Sequence, residues 1–227
     1  MASFAAAHDF VLREARVLEQ RLFATLFEGA PPAGVARALG AYRNDDGGLG
    51  YGLEPDARCP ESQPLFVAFG LQTLAEAGAR DDELLGGCCN YLASVADARG
   101  ALPILLPSVE RYPRANHWTN GHRDPGLDAT IGIVASLRAL GFEHEWLDTA
   151  TAFCLDELAR QPPSDAHVLR DALRFLDLVD DGALWERVSA AIPQASWLRR
   201  DPSPTSHRQV CHLLEGGCGV RVRRRPP

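Results

Sequence analysis

The chain has 227 residues, of which 46% are hydrophobic and 23% charged, a composition that supports a packed core and excludes global disorder. Its formal net charge of −7 argues against a general nucleic-acid binder. No apolar run approaches the roughly 18 residues of a membrane span, and residues 1–30 lack the apolar core of a signal peptide. We therefore expect a cytoplasmic protein with no membrane or nucleic-acid partner.

Apolar residues recur at three- and four-residue steps along most of the chain, which predicts an all-α protein without strands. Phe10 falls at a core position of the first predicted helix. Ser62 and Asp124 precede later helices and are expected to be their N-caps, while Gly78 and Gly141 are expected to end two of them. The predicted helices cover residues 4–27, 35–42, 62–77, 81–95, 124–140, 143–160, 165–179 and 181–192.

Two segments of the sequence resemble each other and indicate an internal repeat. Residues 67–78 (VAFGLQTLAEAG) and 130–141 (TIGIVASLRALG) each end in glycine, and each is followed by an acidic turn and a second helix. Residues 172–192 give a third, degenerate copy. Helix pairs of this kind bury their apolar faces against neighbouring pairs, either in an α-solenoid or in the same units closed into a ring.

A glycine-rich loop carries the most specific motif. Residues 45–50 (DDGGLG), followed by 53–56 (LEPD) and a helix, resemble the repeat of the terpenoid-cyclase and protein-prenyltransferase α/α-toroids. The longer string at 48–64 (GLGYGLEPDARCPESQP) is similar to an uncharacterised bacterial prenyltransferase-like group of that superfamily. The resemblance covers residues 1–204 and implies an α/α-toroid whose central cavity binds a small, partly apolar ligand.

Two departures from that superfamily leave the reaction open. The DxDD motif with which class II terpene cyclases protonate their substrate is absent, and residues 177–181 (DLVDD) have a different spacing. No residues match the Asp, Cys and His zinc ligands of the protein prenyltransferases. The resemblance therefore assigns no cofactor: Mg²⁺ beside the loop carboxylates stays open, and zinc is not expected.

The end of the chain differs in character from the rest. Residues 205–227 have little apolar periodicity and a single acidic residue, Glu215. We expect the toroid domain over residues 1–204 to be an incomplete ring, its closing helices lost through a reading-frame shift near residue 205. An open ring edge favours self-association. The alternative is a genuine basic tail that contacts nucleic acid or an acidic surface.

The acids of the glycine-rich loop form the first candidate site. Glu54 and Asp56 are suited to act as general acid and base, and Arg58 follows closely enough to pair with either carboxylate. In a toroid such loops lie near the mouth of the cavity. Asp45 and Asp46 are expected instead to cap helices or accept hydrogen bonds from loop amides.

The long connection at residues 98–126 is the second candidate, because connections of this length are often functional. Its histidines exchange protons near neutral pH, and its tryptophan can stack on a sugar or a cation. The alternative is a loop that is merely anchored by its aromatic residues. The candidate catalytic residues are Glu54, Asp56, His117 and Asp128. The candidate ligand-binding residues are Tyr51, Arg58, Tyr112, Trp118 and His122.

Three functions are compatible with the sequence. The first is an enzyme-like toroid that binds a small, partly apolar molecule. The second is a non-catalytic helical scaffold for protein–protein interaction. The third is a carbohydrate-active (α/α) barrel with Glu54 and Asp128 as acid and base, for which the separation of the carboxylates is the discriminator.

Overall fold

A computed structural model describes residues 3–119 and 124–192, and all regular structure within these ranges is helical. The β-type contacts there are three isolated bridges, so the all-α prediction is confirmed. Two short 3₁₀ helices, Pro107–Arg111 and Asn116–Trp118, lie in the long connection. The α-helices are α1 (Phe4–Glu14), α2 (Val17–Glu28), α3 (Ala33–Gly40), α4 (Pro64–Ala77), α5 (Asp82–Val95), α6 (Leu127–Ala139), α7 (Glu145–Arg160), α8 (Ala166–Val179) and α9 (Gly182–Ser189).

The described residues divide into two compact units. The first takes residues 3–94 and 105–119, and the second takes residues 95–104 and 124–192. In the first unit α2 packs on α3 and α4, and α3 packs on α4. In the second unit α6 packs on α7 and α8, and α8 packs on α9. A single toroid domain over residues 1–204 stays a prediction, and the tail at 205–227 lies outside the described residues.

The first predicted helix, over residues 4–27, is wrong as a single element, since the chain is extended at Ala15 and Arg16. The side-chain amide of Gln20 donates to the carbonyls of Leu12 and Ala15, which satisfies acceptors at the end of α1. Phe10 is also not a core residue, because it is 65% exposed on a helix with no buried residue.

The centre of the first unit is α4, whose apolar residues are buried around most of its circumference. Its Gly70 allows close packing, since a Cβ there would lie 2.5 Å from Leu49 Cδ1. Ser62 is not the N-cap as predicted: the helix begins at Pro64 after an extended Gln63, and the Ser62 hydroxyl bonds the preceding loop instead. Gly78 ends the helix at φ +62°, as predicted.

In the second unit α6 begins later than predicted. Its N-cap is Gly126 rather than Asp124, and the amide of Gly126 donates to the carbonyl of Leu102. Thr130 Oγ1 accepts from the Leu102 amide at 2.9 Å, which ties the connection to the first turn of α6. Asp165 and Asp181 cap α8 and α9, close to the predicted starts.

Among the described residues, none of the helices combines the length and the apolar character that crossing a membrane requires.

Candidate functional site

The glycine-rich loop, residues 44–63, is organised by its own polar side chains. Asp46 Oδ1 accepts from the Gly48 amide at 2.9 Å and from Ser62 Oγ at 2.7 Å. Asn44 Nδ2 donates to the Pro60 carbonyl at 3.0 Å and to Ser62 Oγ at 2.9 Å. Asp46 therefore has the structural role expected of a turn carboxylate, because it fixes both ends of the loop.

The long connection docks onto this loop through Gln63, which is fully buried. Its Oε1 accepts from the Leu106 amide at 2.7 Å, and its Nε2 donates to Ser108 Oγ at 2.7 Å. Backbone pairing continues the docking, since the amide of Arg58 donates to the Pro113 carbonyl at 2.9 Å. The connection is thus held in register against residues 56–63.

Because of this docking, two predicted site residues contact the carboxylate of Asp56. Trp118 Nε1 donates to Asp56 Oδ1 at 2.7 Å, and His117 Nε2 lies 3.1 Å from Asp56 Oδ2. The backbone also joins the two segments, because the Ala115 amide donates to the Asp56 carbonyl at 2.8 Å. Both carboxylate oxygens of Asp56 are therefore oriented by the connection, although the His117 side chain is 61% exposed.

Glu54 stands beside this pair in a different environment. It is partly buried, and burial raises the pKa of its carboxyl above the ordinary value of 4.5, with repulsion from Asp56 adding to the effect. Attraction to Arg16 and His117 opposes the shift without cancelling it. Two neighbouring carboxyl groups thus differ in surroundings: Asp56 is held by hydrogen bonds, whereas burial raises the pKa of the Glu54 carboxyl.

Arg16 is the arginine whose charge acts on Glu54. Its Nη1 donates to the Leu53 carbonyl at 2.7 Å, and its guanidinium pairs with Glu19 on the first turn of α2. The guanidinium carbon lies 5.8 Å from the ring centre of Tyr42 and 5.9 Å from that of Phe69. These contacts hold a cation at the carbonyl of Leu53, the residue before Glu54, with two aromatic rings near the guanidinium.

The raised pKa of Glu54 predicts how stability depends on pH. Between 4.5, the ordinary value, and the higher folded value, the folded state binds more protons than the unfolded state. The free energy of unfolding should therefore fall as the pH rises through this window. Glu54→Gln is expected to remove this contribution, so the variant should gain stability relative to wild type with rising pH. Urea denaturation at a series of pH values measures the difference.

The control for this experiment is Asp45→Asn, which removes a negative charge from the same loop and leaves Glu54 in place. Asp45 is exposed and is one residue from the hydrogen-bonded Asp46. Stability profiles of Glu54→Gln and wild type that run parallel across the window would contradict the assignment.

A second polar cluster surrounds Glu61. Tyr112, a predicted ligand-binding residue, belongs to this cluster and not to the pair Glu54 and Asp56. Glu61 Oε1 accepts from Tyr112 Oη at 3.1 Å and from Arg111 Nη2 at 2.5 Å, and its Oε2 accepts from the Cys59 thiol at 3.1 Å. Desolvation raises the pKa of Glu61, but the hydrogen bonds outweigh it and the net shift is downward. Burial and Glu61 raise the pKa of the Cys59 thiol to about 11, so it is protonated and unsuited to act as a nucleophile.

The structure places the remaining predicted residues as follows. Tyr51 is 60% exposed and adopts φ +56°, a conformation unusual for a residue with a side chain. Arg58 is exposed, and its side chain forms no ion pair with Glu54 or Asp56 in the part of the chain described. Asp128 lies in the second unit, where its Oδ1 accepts from the Ala129 amide. His122 lies outside the described residues.

The sequence did not identify Arg16 as a charge acting on Glu54, or Tyr42 and Phe69 as aromatic neighbours of Arg16. They lie in or after three different helices with ordinary helical patterns, so no local signal marks them. Within residues 3–119 and 124–192, no group of three His, Cys, Asp or Glu side chains is arranged to hold a metal ion. Mg²⁺ at the loop carboxylates stays a prediction.

No model of a known protein family matches the chain, and no curated protein or solved structure matches it.

Proposed function

We propose that the glycine-rich loop and the docked connection form a binding site for a small, partly apolar molecule, with Glu54 as its proton-transfer group. The observation that carries the proposal is the contrast between two neighbouring carboxyl groups. Asp56 is fixed by Trp118 and His117, while the pKa of Glu54 is raised by burial and by Asp56.

A pair of carboxyl groups with different environments is suited to acid–base chemistry. A carboxyl group whose pKa is raised above its ordinary value is a better proton donor near neutral pH than an ordinary carboxyl group. In this assignment Glu54 exchanges the proton with the ligand, and Asp56 keeps the local field negative. His117 and Trp118 position Asp56 and do not need to touch the ligand.

Aromatic side chains around Arg16 and on the glycine-rich loop support a partly apolar ligand. Phe69 and Tyr42 flank Arg16, and Tyr51 is exposed on the loop three residues before Glu54. The φ of +56° at Tyr51 costs roughly 1 kcal/mol. Such strain is concentrated at functional sites. We assign Tyr51 to the ligand's apolar part.

We further propose that the helical pairs are arranged as an α/α-toroid of the terpenoid-cyclase and prenyltransferase type. The support is the DDGGLG turn at residues 45–50 and the repetition of helix pairs along the sequence. In this arrangement the loop acids lie at the mouth of the cavity, and a prenyl chain is a suitable apolar probe for it.

Calorimetric titration with farnesol tests the function. Wild type is expected to bind, and Glu54→Gln should bind about tenfold more weakly, because it loses a charge-assisted hydrogen bond to the alcohol. Asp45→Asn is the matched control from the same loop and should bind like wild type. Circular dichroism confirms that each variant is folded.

Titration with cellobiose distinguishes the carbohydrate alternative. Binding of cellobiose but not farnesol, again lost in Glu54→Gln, would replace the partly apolar ligand with a sugar. Equal farnesol affinity in wild type and Glu54→Gln would contradict the role given to Glu54.

One observation favours the scaffold as a second candidate function. Large apolar side chains of α1 and α2 face solvent, including Phe4, Phe10 and Phe27 at 59%, 65% and 62% exposure. Phe4 and Phe27 also stack around Phe23, so the exposed surface is ordered. Failure of both small-molecule probes to bind would favour protein–protein interaction through this surface.

A further inference from the structure

The hairpin of α1 and α2 exposes large apolar side chains at high density. Among the described residues, six of the eight exposed large apolar side chains lie within residues 4–27, so they form a patch rather than a scatter. They are Phe4, Phe10, Leu12, Val17, Leu26 and Phe27. The rings of Phe4 and Phe27 lie 6.2 Å apart, which joins the exposed surface of α1 to that of α2.

Helix α1 is covered on one side only. It differs from the other described α-helices in having no buried residue. The Phe4 ring stacks on Phe23 at 5.7 Å, and His8 Nε2 lies 3.0 Å from Glu28 Oε1, so Phe4 and His8 face α2. A helix of 11 residues is marginal in water and depends on packing for its stability. The opposite face of α1 is therefore suited to a second packing partner.

This opposite face carries an aromatic ring beside two opposite charges. With about 3.6 residues per turn, Asp9, Phe10 and Arg13 lie on the side of α1 away from Phe4 and His8. Asp9 is 63% exposed and contacts His8 Nδ1 at 3.5 Å. The side chain of Arg13 is exposed and forms no hydrogen bond or ion pair within the described residues. The face thus offers a carboxylate, a guanidinium and a ring to a partner.

We propose that this face packs against the same face of a second copy of the chain, with the two α1 helices antiparallel in a symmetric homodimer. A two-fold axis at the level of residue 11 sets Asp9 of each copy opposite Arg13 of the other, because both lie two positions from the axis. Each contact of such an interface occurs twice. The dimer therefore has two ion pairs and covers both Phe10 rings.

The charges of the face select a second copy as its occupant. A face with one acid and one base at reciprocal positions is complementary to itself, whereas a strongly acidic or basic partner would meet a like charge. The helices α1 and α2 are only about 16 and 18 Å long, so the interface is small. We expect a micromolar Kd, as for interfaces at the low end of the size range.

Sedimentation velocity of the full chain from about 1 to about 200 µM tests the proposal. Wild type should show a reversible equilibrium between monomer and dimer. Phe10→Gln keeps the helix propensity and should weaken the dimer by about tenfold or more, because two rings lose their cover. Leu178→Gln is the matched control and should dimerise like wild type, since Leu178 is an exposed apolar residue of α8 in the second unit.

Exchange of the two charges tests the antiparallel arrangement. Asp9→Arg and Arg13→Asp should each weaken the homodimer by about tenfold or more, because like charges then lie opposite each other. An equal mixture of the two variants should form a heterodimer with the affinity of wild type, because every pair across the interface is again of opposite charge. Misfolding of either variant would not give this recovery.

A wild type that stays monomeric over the whole concentration range would overturn the proposal and leave the surface to a partner of other chemistry. A dimer with equal affinity in wild type and Phe10→Gln would also overturn it, as would a mixture that does not recover. The inference goes beyond the proposed function and does not depend on it. Phe10→Gln should bind farnesol like wild type, so failure of one test leaves the other standing.

Discussion

Replacing Gly50 with alanine is expected to lower the free energy of unfolding by about 3 kcal/mol, the upper range for overpacking a closed site. A Cβ at this position would lie 2.0 Å from the Pro60 carbonyl oxygen and 2.4 Å from Asn44 Nδ2. The carbonyl belongs to the backbone of the same loop, so it cannot move aside without breaking the hydrogen bonds that hold residues 44–63 together. Urea denaturation measures the change in free energy.

Gly40→Ala is the control for this substitution. A Cβ there meets no atom within 4 Å, and the residue is in α3, so alanine should be neutral or stabilising by up to about 1 kcal/mol. A Gly50→Ala variant as stable as Gly40→Ala would show that the loop tolerates expansion, and the described packing of the loop would be wrong.

Gln63→Leu is expected to cost roughly 2–3 kcal/mol, because it leaves buried polar groups without partners. The Leu106 amide loses its acceptor and Ser108 Oγ loses a donor. Both belong to the connection that carries His117 and Trp118, so we also expect this connection to become more accessible to hydrogen exchange. Denaturation and amide exchange of the variant measure the two effects.

The matched control is Gln72→Leu, at a partly buried position on α4 where the amide bonds the nearby Glu76. Its effect should stay within about 0.5 kcal/mol. Faster exchange confined to α4 in Gln63→Leu, with residues 105–119 unchanged, would contradict the role of Gln63 in docking the connection.

Much of the helical framework follows from local sequence, since helical periodicity and capping are short-range properties. Asp165 and Asp181 cap the last two helices at the expected places, and Gly78 ends α4. The errors have tertiary causes. At the break, Arg16 donates to the Leu53 carbonyl, which is 37 residues away. Ser62 is drawn from its capping position by Asp46.

The candidate site was predictable in part. The acids of the glycine-rich loop and the aromatic residues of the long connection are recognisable in the sequence. The structure joins the two segments through Asp56, His117 and Trp118. The sequence did not indicate that Tyr112 would be held by Glu61, or that Arg16 would lie beside Glu54. Those contacts depend on how residues 105–119 and α2 pack against the loop, and neither segment carries a local signal of its partner.

The role of Glu54 as the proton-transfer group is tested most directly by a ¹³C NMR titration of its side-chain carboxyl, with and without farnesol. We expect a pKa above the ordinary 4.5, a lower pKa in Asp56→Asn, and a further rise when the ligand excludes water from the carboxyl. A pKa at its ordinary value that responds neither to Asp56→Asn nor to farnesol would contradict the assignment of Glu54 as the proton-transfer group.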